Sequence, residues 1–409
     1  MKILLTGIGQ ANFLNQLYSK VILCNHMQVD AINLNYKSEE QEKVARKIFK
    51  NLLPEYKQKN SFSRILIPFK TKVFWKFLIL NLSSGSLISF KQFKSFIAEN
   101  IYHSNYANYL DNLDYDYIHH HFLSLDFGLY LLYLKHPKLI ISFWGSDLFR
   151  KTSIPELFFK KKVLDQAASI TVATSDMKYH VMTKFSLNFR DKIHRLKFIN
   201  NNSYFQYIEN VNSQYITERK SELFPGINEK KIIAFGHSGF KEDNYNDFLN
   251  SLESLAKETK SKYHILFCLT YGSDKETLIK DVKSKMDILG IDYTIVDTYV
   301  SLETLADYHC CVDAFLFMPQ SDAFSGYLTE CFYHNIPVFV GAWLPYKEFT
   351  RMGLKYHEIN DFNEIPNVLK NMDKYFENDY SQNKSIIKKY FIDSDDSYNW
   401  SKLYKEWKK

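Results

Sequence analysis

The sequence predicts an α/β protein built of two Rossmann-like halves. Short apolar runs of strand length alternate with helical patterns from Lys2 to Val340. Twice such a run ends in a glycine-bearing turn that opens into a helical pattern: Lys2–Thr6 followed by Gly7-Ile8-Gly9, and Lys231–Phe235 followed by Gly236-His237-Ser238-Gly239. A chain of 409 residues with 45% hydrophobic content has room for two packed cores and is improbable as one. The predicted organisation is a first domain over 1–205, a linker over 206–228, a second domain over 229–385, and a terminal helix in 386–409 that crosses back to the first domain.

In the first half, Lys2–Thr6 reads as a buried strand, and the glycines after it make a tight turn into a helix through Leu14 and Leu17. Val21–Cys24 and Ala31–Leu34 are further strand candidates, and residues 38–58 are charged and helical in pattern. Residues 64–98 mix aliphatic and aromatic side chains with Arg64, Lys70, Lys72, Lys76, Lys91 and Lys94, and contain no acid before Glu99. Such a basic, Trp- and Phe-bearing amphipathic face suits an anionic lipid surface; the plain alternative is a helix covering the sheet. Asp114-Tyr115-Asp116-Tyr117-Ile118-His119-His120-His121 ends in a strand on which His119 and His121 share one face. Lys138–Phe143 is a strand that ends in Trp144-Gly145-Ser146-Asp147, where the Asp147 carboxylate suits a general base and, with Ser146, also suits a helix cap; the two roles do not exclude each other. Ser169–Ala173 is the next strand, with Thr174-Ser175-Asp176 capping a helix around 178–184.

Polar, irregular residues 200–228, with three consecutive Asn and Pro225-Gly226, suggest the linker. After the strand Lys231–Phe235, the loop Gly236–Asn244 offers backbone N–H groups, the Ser238 hydroxyl and the Lys241 ammonium to a phosphate. His264–Leu269 is a strand leading to Thr270-Tyr271-Gly272-Ser273, and Tyr293–Val296 is a shorter one before the loop at 298–305. The apolar run Ala314–Met318 ends at Pro319. A polar loop with Asp322, Ser325 and Gly326 follows, then Glu330 eight residues after Asp322, then the strand Ile336–Gly341. Strand, loop, helix and strand form a βαβ unit whose loop lies at a strand's carboxyl end, where ligands of open α/β sheets bind. The tail around Tyr398, Trp400, Tyr404 and Trp407 is an aromatic helix.

The frame Asp322-Ala323-Phe324-Ser325-Gly326, then Glu330, then Asn335-Ile336-Pro337-Val338 resembles the donor-binding unit of GT-B glycosyltransferases, especially glycosyltransferase family 4. It departs at Asp322, where that family carries Glu, and at Ala323, where it carries Gly. Gly236-His237-Ser238-Gly239 and Thr270-Tyr271-Gly272 are similar to bacterial 4-acetamido-4,6-dideoxygalactose transferases, with His237 in place of the Arg of family 4. The resemblance implies a GT-B fold, two Rossmann-like domains facing across a cleft, and a transferase moving a sugar from a nucleotide-sugar donor to a glycan or polyprenyl-linked acceptor of a bacterial surface polysaccharide. It implies Asp147 and Asp322 as catalytic candidates, and Gly236, His237, Ser238, Lys241, Tyr271, Gly272, Ser325, Gly326 and Glu330 on the donor. Gly7, Gly9, His119, His121 and Trp144 fall on the acceptor side, with packing as the other reading of the histidines. The carboxylate spacing favours retention at the sugar carbon, and an Asp147 base favours inversion. A GT-B epimerase or phosphorylase, and a noncatalytic nucleotide-binding subunit, are the alternatives.

Net charge of +6 with scattered basic residues carries no nucleic-acid motif. The five cysteines, Cys24, Cys268, Cys310, Cys311 and Cys331, lie mostly in apolar runs and read as reduced core residues of a cytoplasmic protein. No signal peptide is expected at the amino terminus, and no run reaches the roughly 18–20 apolar residues of a membrane span. No metal or other cofactor is expected: the adjacent histidines lack a third ligand at useful spacing, and Asp114-Tyr115-Asp116 precedes a strand rather than following one.

Overall fold

The computed structural model describes the chain apart from residues 8–11, 26, 33–38, 55, 58–64, 137, 198–201, 324, 394–396 and 406–409. It divides into two compact units, Met1–Ile199 with Asp395–Lys409, and Asn200–Ser394.

The first unit holds strands β1 (Lys2–Gly7), β2 (Gln28–Ile32), β3 (Leu52–Leu53), β4 (Tyr117–His121), β5 (Leu139–Ser142), β6 (Ser169–Val172) and β7 (Ile193–Arg195). They form one parallel sheet in the order β3-β2-β1-β4-β5-β6-β7. Helices on both faces explain why β4, β5 and β6 are buried at every residue. The strand order reverses direction between β1 and β4, and there Gly7 pairs with His121. Gly7 has φ +99°, and a Cβ on it would stand 1.9 Å from the His121 carbonyl oxygen. The glycine is a packing requirement of the two central strands.

The second unit holds β8 (Lys231–Phe235), β9 (Tyr263–Cys268), β10 (Asp292–Val296), β11 (Ala314–Phe317), β12 (Val338–Gly341) and β13 (His357–Ile359). Their parallel order is β10-β9-β8-β11-β12-β13, with the reversal between β8 and β11. Period-two alternation divides these strands between two cores. Ile232, Ala234, Phe315 and Phe317 face one, and Ile233, Phe235, Ala314 and Leu316 face the other.

Three expectations are corrected. Val21–Cys24 is not a strand but the end of the helix Asn12–Asn25, because Leu14, Leu17, Tyr18 and Val21 make one buried helical stripe. Residues 206–228 are not a linker. The helices Asn202–Glu209 and Ser213–Leu223 belong to the second unit and pack on the helix Leu302–Cys310. Tyr204, Phe205 and Phe224 enter its core, and the Tyr207 hydroxyl and Arg219 Nε donate to buried Asp307 at 2.8 and 2.9 Å. The tail also divides differently from 386–409. Ile386, Ile387 and Phe391 are core residues of the second unit, and only the helix Ser397–Lys405 lies in the first. That helix packs on Asn12–Asn25. Trp400 Nε1 donates to the Lys197 carbonyl at 2.9 Å, and the Tyr117 hydroxyl to the Tyr404 carbonyl at 3.0 Å.

Cys268, Cys311 and Cys331 are buried free thiols. Among the described residues no helix is long and apolar enough to cross a membrane.

Candidate functional site

In the second unit the donor candidates gather at the carboxyl ends of β8, β9 and β11, on either side of the strand-order reversal. Gly236 takes φ +70° as the chain leaves β8, and a Cβ there would meet the Tyr245 hydroxyl at 2.3 Å. The next residues make a closed turn. Ser238 N–H and Oγ–H both donate to Asp243 Oδ2, at 3.0 and 2.6 Å, and the Tyr245 hydroxyl donates to the Ser238 carbonyl at 2.7 Å. Ser238 is thus buried and spent inside its own loop, which corrects its reading as a phosphate donor. Gly239 N–H donates to the Tyr271 carbonyl, and a Cβ on Gly272 would strike the Gly239 backbone at 2.3 Å. Gly239 and Gly272 therefore bring the β8 and β9 loops backbone to backbone. Lys241 is exposed at the rim of this junction, and its N–H lies 3.4 Å from Asp274 Oδ2.

The β11 loop is tied to the β8 loop. Asn244 Nδ2 donates to the Met318 carbonyl at 2.8 Å, and Gln320 N–H to the Glu242 carbonyl at 2.7 Å. The His237 ring stacks on Tyr327 with centroids 5.2 Å apart and lies as close to Phe317. His237 Nδ1 and Asp243 Oδ1 are buried without a hydrogen-bond partner among the described residues.

Asp322 accepts from Ser325 N–H at 2.9 Å and from the Tyr346 hydroxyl. Ser325 caps the helix Gly326–Tyr333 by accepting from Leu328 N–H at 3.3 Å. The N–H groups of Gly326 and Tyr327 remain the open donors of that first turn among the described residues, on the positive end of the helix dipole. One turn on is Glu330. Its side chain is one-fifth exposed, it has no hydrogen bond among the described residues, and His309 Nδ1 lies 4.0 Å from its Oε2. Burial without a hydrogen bond pushes its carboxyl up to about 8. His309 cannot be a strong partner: its Nδ1 is engaged by the Tyr204 hydroxyl at 2.7 Å, and burial, then His334, lowers its pKa well below the usual range.

Gly7, His119, His121 and Trp144 also converge, at the carboxyl ends of β1, β4 and β5, but the two histidines are sealed. His119 and His121 have no exposed surface. Their rings stack 4.1 Å apart, and the Tyr18 hydroxyl joins His119 Nδ1 at 3.0 Å to His121 Nε2 at 2.8 Å. His119 Nδ1 also lies 2.6 Å from the Tyr404 hydroxyl and its Nε2 2.7 Å from Ser142 Oγ, while Trp144 Nε1 donates to His121 Nδ1 at 3.2 Å. Burial lowers His119 to about 3 and His121 well below its usual value, so both are neutral. The packing reading of these histidines replaces the acceptor one.

Asp147 is also fully buried. Its carboxylate accepts from Leu123 N–H at 2.9 Å, Trp144 N–H at 2.9 Å and Gly145 N–H at 2.8 Å. Burial raises it to about 6 against the opposing pull of those bonds and of Lys160. It staples the β4 and β5 loops together, which corrects its assignment as a general base. Trp144 is half-buried, and Gly9 lies outside the described residues.

Several neighbours were not singled out from sequence: Asp243 and Tyr346 in the loops, Tyr327 in the first turn of the helix Gly326–Tyr333, and Tyr204 and His309 behind Glu330. None carries a spacing signal, because each reaches the site through the fold. Trp343 is another. Its Nε1 donates to the Pro319 carbonyl at 2.8 Å, and its ring is 41% exposed beside the β11 loop. Among the described residues no group of three or more His, Cys, Asp or Glu is arranged to hold a metal ion.

No protein-family model matches the sequence, and no curated protein matches it. Solved structures do. HepE of Anabaena, in complex with UDP and glucose, matches over 99% of this chain and 98% of its own with TM-score 0.64 and 10% identity. Sucrose-phosphate synthase of Thermosynechococcus elongatus matches over 99% and 98% with TM-score 0.66 and 12% identity. The lipopolysaccharide outer core galactosyltransferase WaaB matches over 99% of both chains with TM-score 0.58 and 13% identity. The likeness shows the fold: two parallel-sheet α/β units of the GT-B class.

Proposed function

We infer that the chain is a glycosyltransferase that moves a sugar from a nucleotide-sugar donor bound by the second unit. The observation that carries this is Glu330. A side chain four-fifths buried, with no hydrogen-bond donor among the described residues and a pKa pushed up to about 8, is stabilised in its charged form when a ligand supplies donors. A ribose diol supplies two. Beside it, the Gly326 and Tyr327 N–H groups and Lys241 suit a diphosphate. The likeness to HepE, solved with UDP and with UDP-glucose, makes UDP the first base to try.

In the proposed reaction the bond from the sugar carbon to the diphosphate oxygen breaks, and its electron pair leaves on the diphosphate. The acceptor hydroxyl oxygen forms the new bond to the sugar carbon, and its proton passes to the departing diphosphate oxygen. Lys241 and the helix dipole stabilise the leaving charge without a metal. Asp147, the base an inverting route would use, is sealed by three backbone donors, which supports retention. Family 4 of the glycosyltransferases, a glycan or polyprenyl-linked acceptor, a bacterial surface polysaccharide such as lipopolysaccharide or capsule, and work at the cytoplasmic face of the cell membrane complete the proposal.

The test is a thermal-shift screen with UDP, GDP, TDP, CMP and their sugars, with and without EDTA. A nucleotide-specific rise that survives EDTA and is lost in Lys241→Ala and Glu330→Ala is expected; no shift with any nucleotide rejects the donor site. The sealed Asp147 favours one second reading, a noncatalytic nucleotide-binding subunit. It predicts the same shift with no donor turnover on any acceptor.

A further inference from the structure

The helix Lys72–Ser83 carries two apolar stripes, and the fold uses only one. Phe74, Phe77, Leu78 and Asn81 are buried. Phe74 and Phe77 meet Phe96 of the helix Phe90–Asp111 at ring distances of 6.0 and 5.5 Å, and Phe77 stacks on Phe158 at 6.3 Å. The second stripe, Trp75, Ile79 and Leu82, follows the same i, i+4, i+7 spacing and is 49%, 62% and 49% exposed. The neighbouring turn and the start of the next helix add Ile88 and Phe90, each 83% exposed. Trp75 is held in place, its Nε1 donating to the Phe69 carbonyl at 2.9 Å. Next to these side chains Lys70, Lys72, Lys76, Lys91 and Lys94 are all exposed, and no acidic residue occurs between Lys70 and Ala98.

We propose that this helical pair is a docking surface for an anionic lipid bilayer, with Trp75, Ile79, Leu82, Ile88 and Phe90 entering the headgroup–acyl boundary and the lysines resting on lipid phosphates. An apolar face this exposed needs a cover. Its flanking charge decides which one. A second copy would set lysine against lysine, whereas a surface of negative headgroups pairs with every one of them. Long lysine stems let the ammonium groups reach the phosphates while the apolar stripe descends between them. The inference goes beyond the donor-site reading and does not depend on it, because every residue it uses lies in the first unit.

The experiment is co-sedimentation of the full chain with vesicles of phosphatidylcholine alone and with about one-third phosphatidylglycerol, at about 50 mM and about 500 mM salt. Trp75 emission is followed against a Trp75→Phe control. Binding only to the anionic vesicles, with a blue shift and loss at high salt, is expected. Ile79→Ser/Leu82→Ser should weaken partitioning about tenfold or more. Lys72→Gln/Lys76→Gln should weaken it about fivefold per charge removed. All these side chains are exposed, so the variants keep their melting temperature, and any nucleotide-induced shift in the second unit stays as it was. Failure to bind anionic vesicles at low salt would overturn the inference, as would binding that the variants leave unchanged. A concentration-dependent dimer abolished by Ile79→Ser/Leu82→Ser would overturn it in favour of a second copy. A lost nucleotide shift in the wild-type chain, with vesicle binding intact, would instead count against the donor site alone.

Discussion

Glu330 combines a cost and an opportunity in one side chain. Its carboxyl is raised by burial from 4.5 to about 8, so the native state favours the protonated form. The sign follows from linkage. No stability is lost below the unfolded value near 4.5, the loss grows as pH rises towards 8, and it is complete above. Glu330→Gln should therefore leave the melting temperature of the second unit unchanged near pH 4.5 and raise it by roughly 5–10 °C near pH 9. A ligand that donates to the ionised carboxylate reverses the preference. Nucleotide binding near pH 7 should release close to one proton, and affinity should rise with pH until about 8 and then level off. Calorimetry in two buffers of different ionisation heat reads that proton, and Glu330→Gln should abolish both the release and the pH dependence. Gly236 illustrates a different constraint. Gly236→Ala drives a methyl into the Tyr245 hydroxyl at a φ of +70°, breaking its bond to Ser238. A loss of about 2–4 kcal/mol in urea unfolding is expected.

At the scale of elements, the buried strands were legible because each is a short apolar run closed by glycine, proline or a polar cap, as at Phe317–Pro319 and Phe235–Gly236. Val21–Cys24 was not, since four apolar residues fit a strand or the last turn of a helix, and only the stripe back to Leu14 decides. The helices at 202–223 were hidden by their composition: they are rich in Asn, Ser and Gln, and the first of them enters the core through Tyr204 and Phe205, with Tyr207 and Ile208 packed beside them. The donor loops were found by position and spacing, but Ser238 and Asp147 show where that stops. Residue types that do chemistry also satisfy buried backbone donors, and a sequence does not record which of the two a strand end needs. The histidines of β4 carry a consequence of their own. Burial lowers His119 and His120 to about 3 and His121 well below its usual value, so the unfolded chain gains three protons that the native strand refuses as pH falls below about 6.5. Asp147, raised to about 6, takes up its proton earlier in the native state than in the unfolded chain and opposes one of the three. Among these four groups, unfolding of the first unit should therefore take up about two protons between pH 6 and 4, and its melting temperature should fall over that range. A flat melting profile there would mean that the strand's histidines are charged or exposed.

For the whole molecule, the decisive feature is where the chain changes unit. It leaves the first near residue 200 and returns near 395, so Asn200–Ser394 is continuous in sequence and the other unit is not. The two must then differ when cut apart. A fragment spanning 200–394 keeps both cores around β8–β13, including Tyr204 with its bonds to His309 at 2.7 Å and His334 at 2.8 Å, and Ile387 and Phe391 from the far end. It should fold alone, melt cooperatively, and retain the nucleotide shift of the full chain. The shorter fragment 229–385, cut at the boundaries composition suggests, loses Tyr204, Phe205, Phe224, Ile386, Ile387 and Phe391 from one core and uncovers Glu330's surroundings. It should be poorly soluble or melt far lower. A fragment 1–199 lacks the helix Ser397–Lys405, so Trp400 and Tyr404 leave a trench beside Tyr18 and strip His119 Nδ1 of its 2.6 Å partner. Adding 395–409 as a separate peptide should restore its melting transition, because that segment contributes packing and hydrogen bonds rather than chain connectivity. If 1–199 proved as stable without the peptide as with it, the terminal helix would be an appendage, and the interlocked order of the two units would have no energetic meaning.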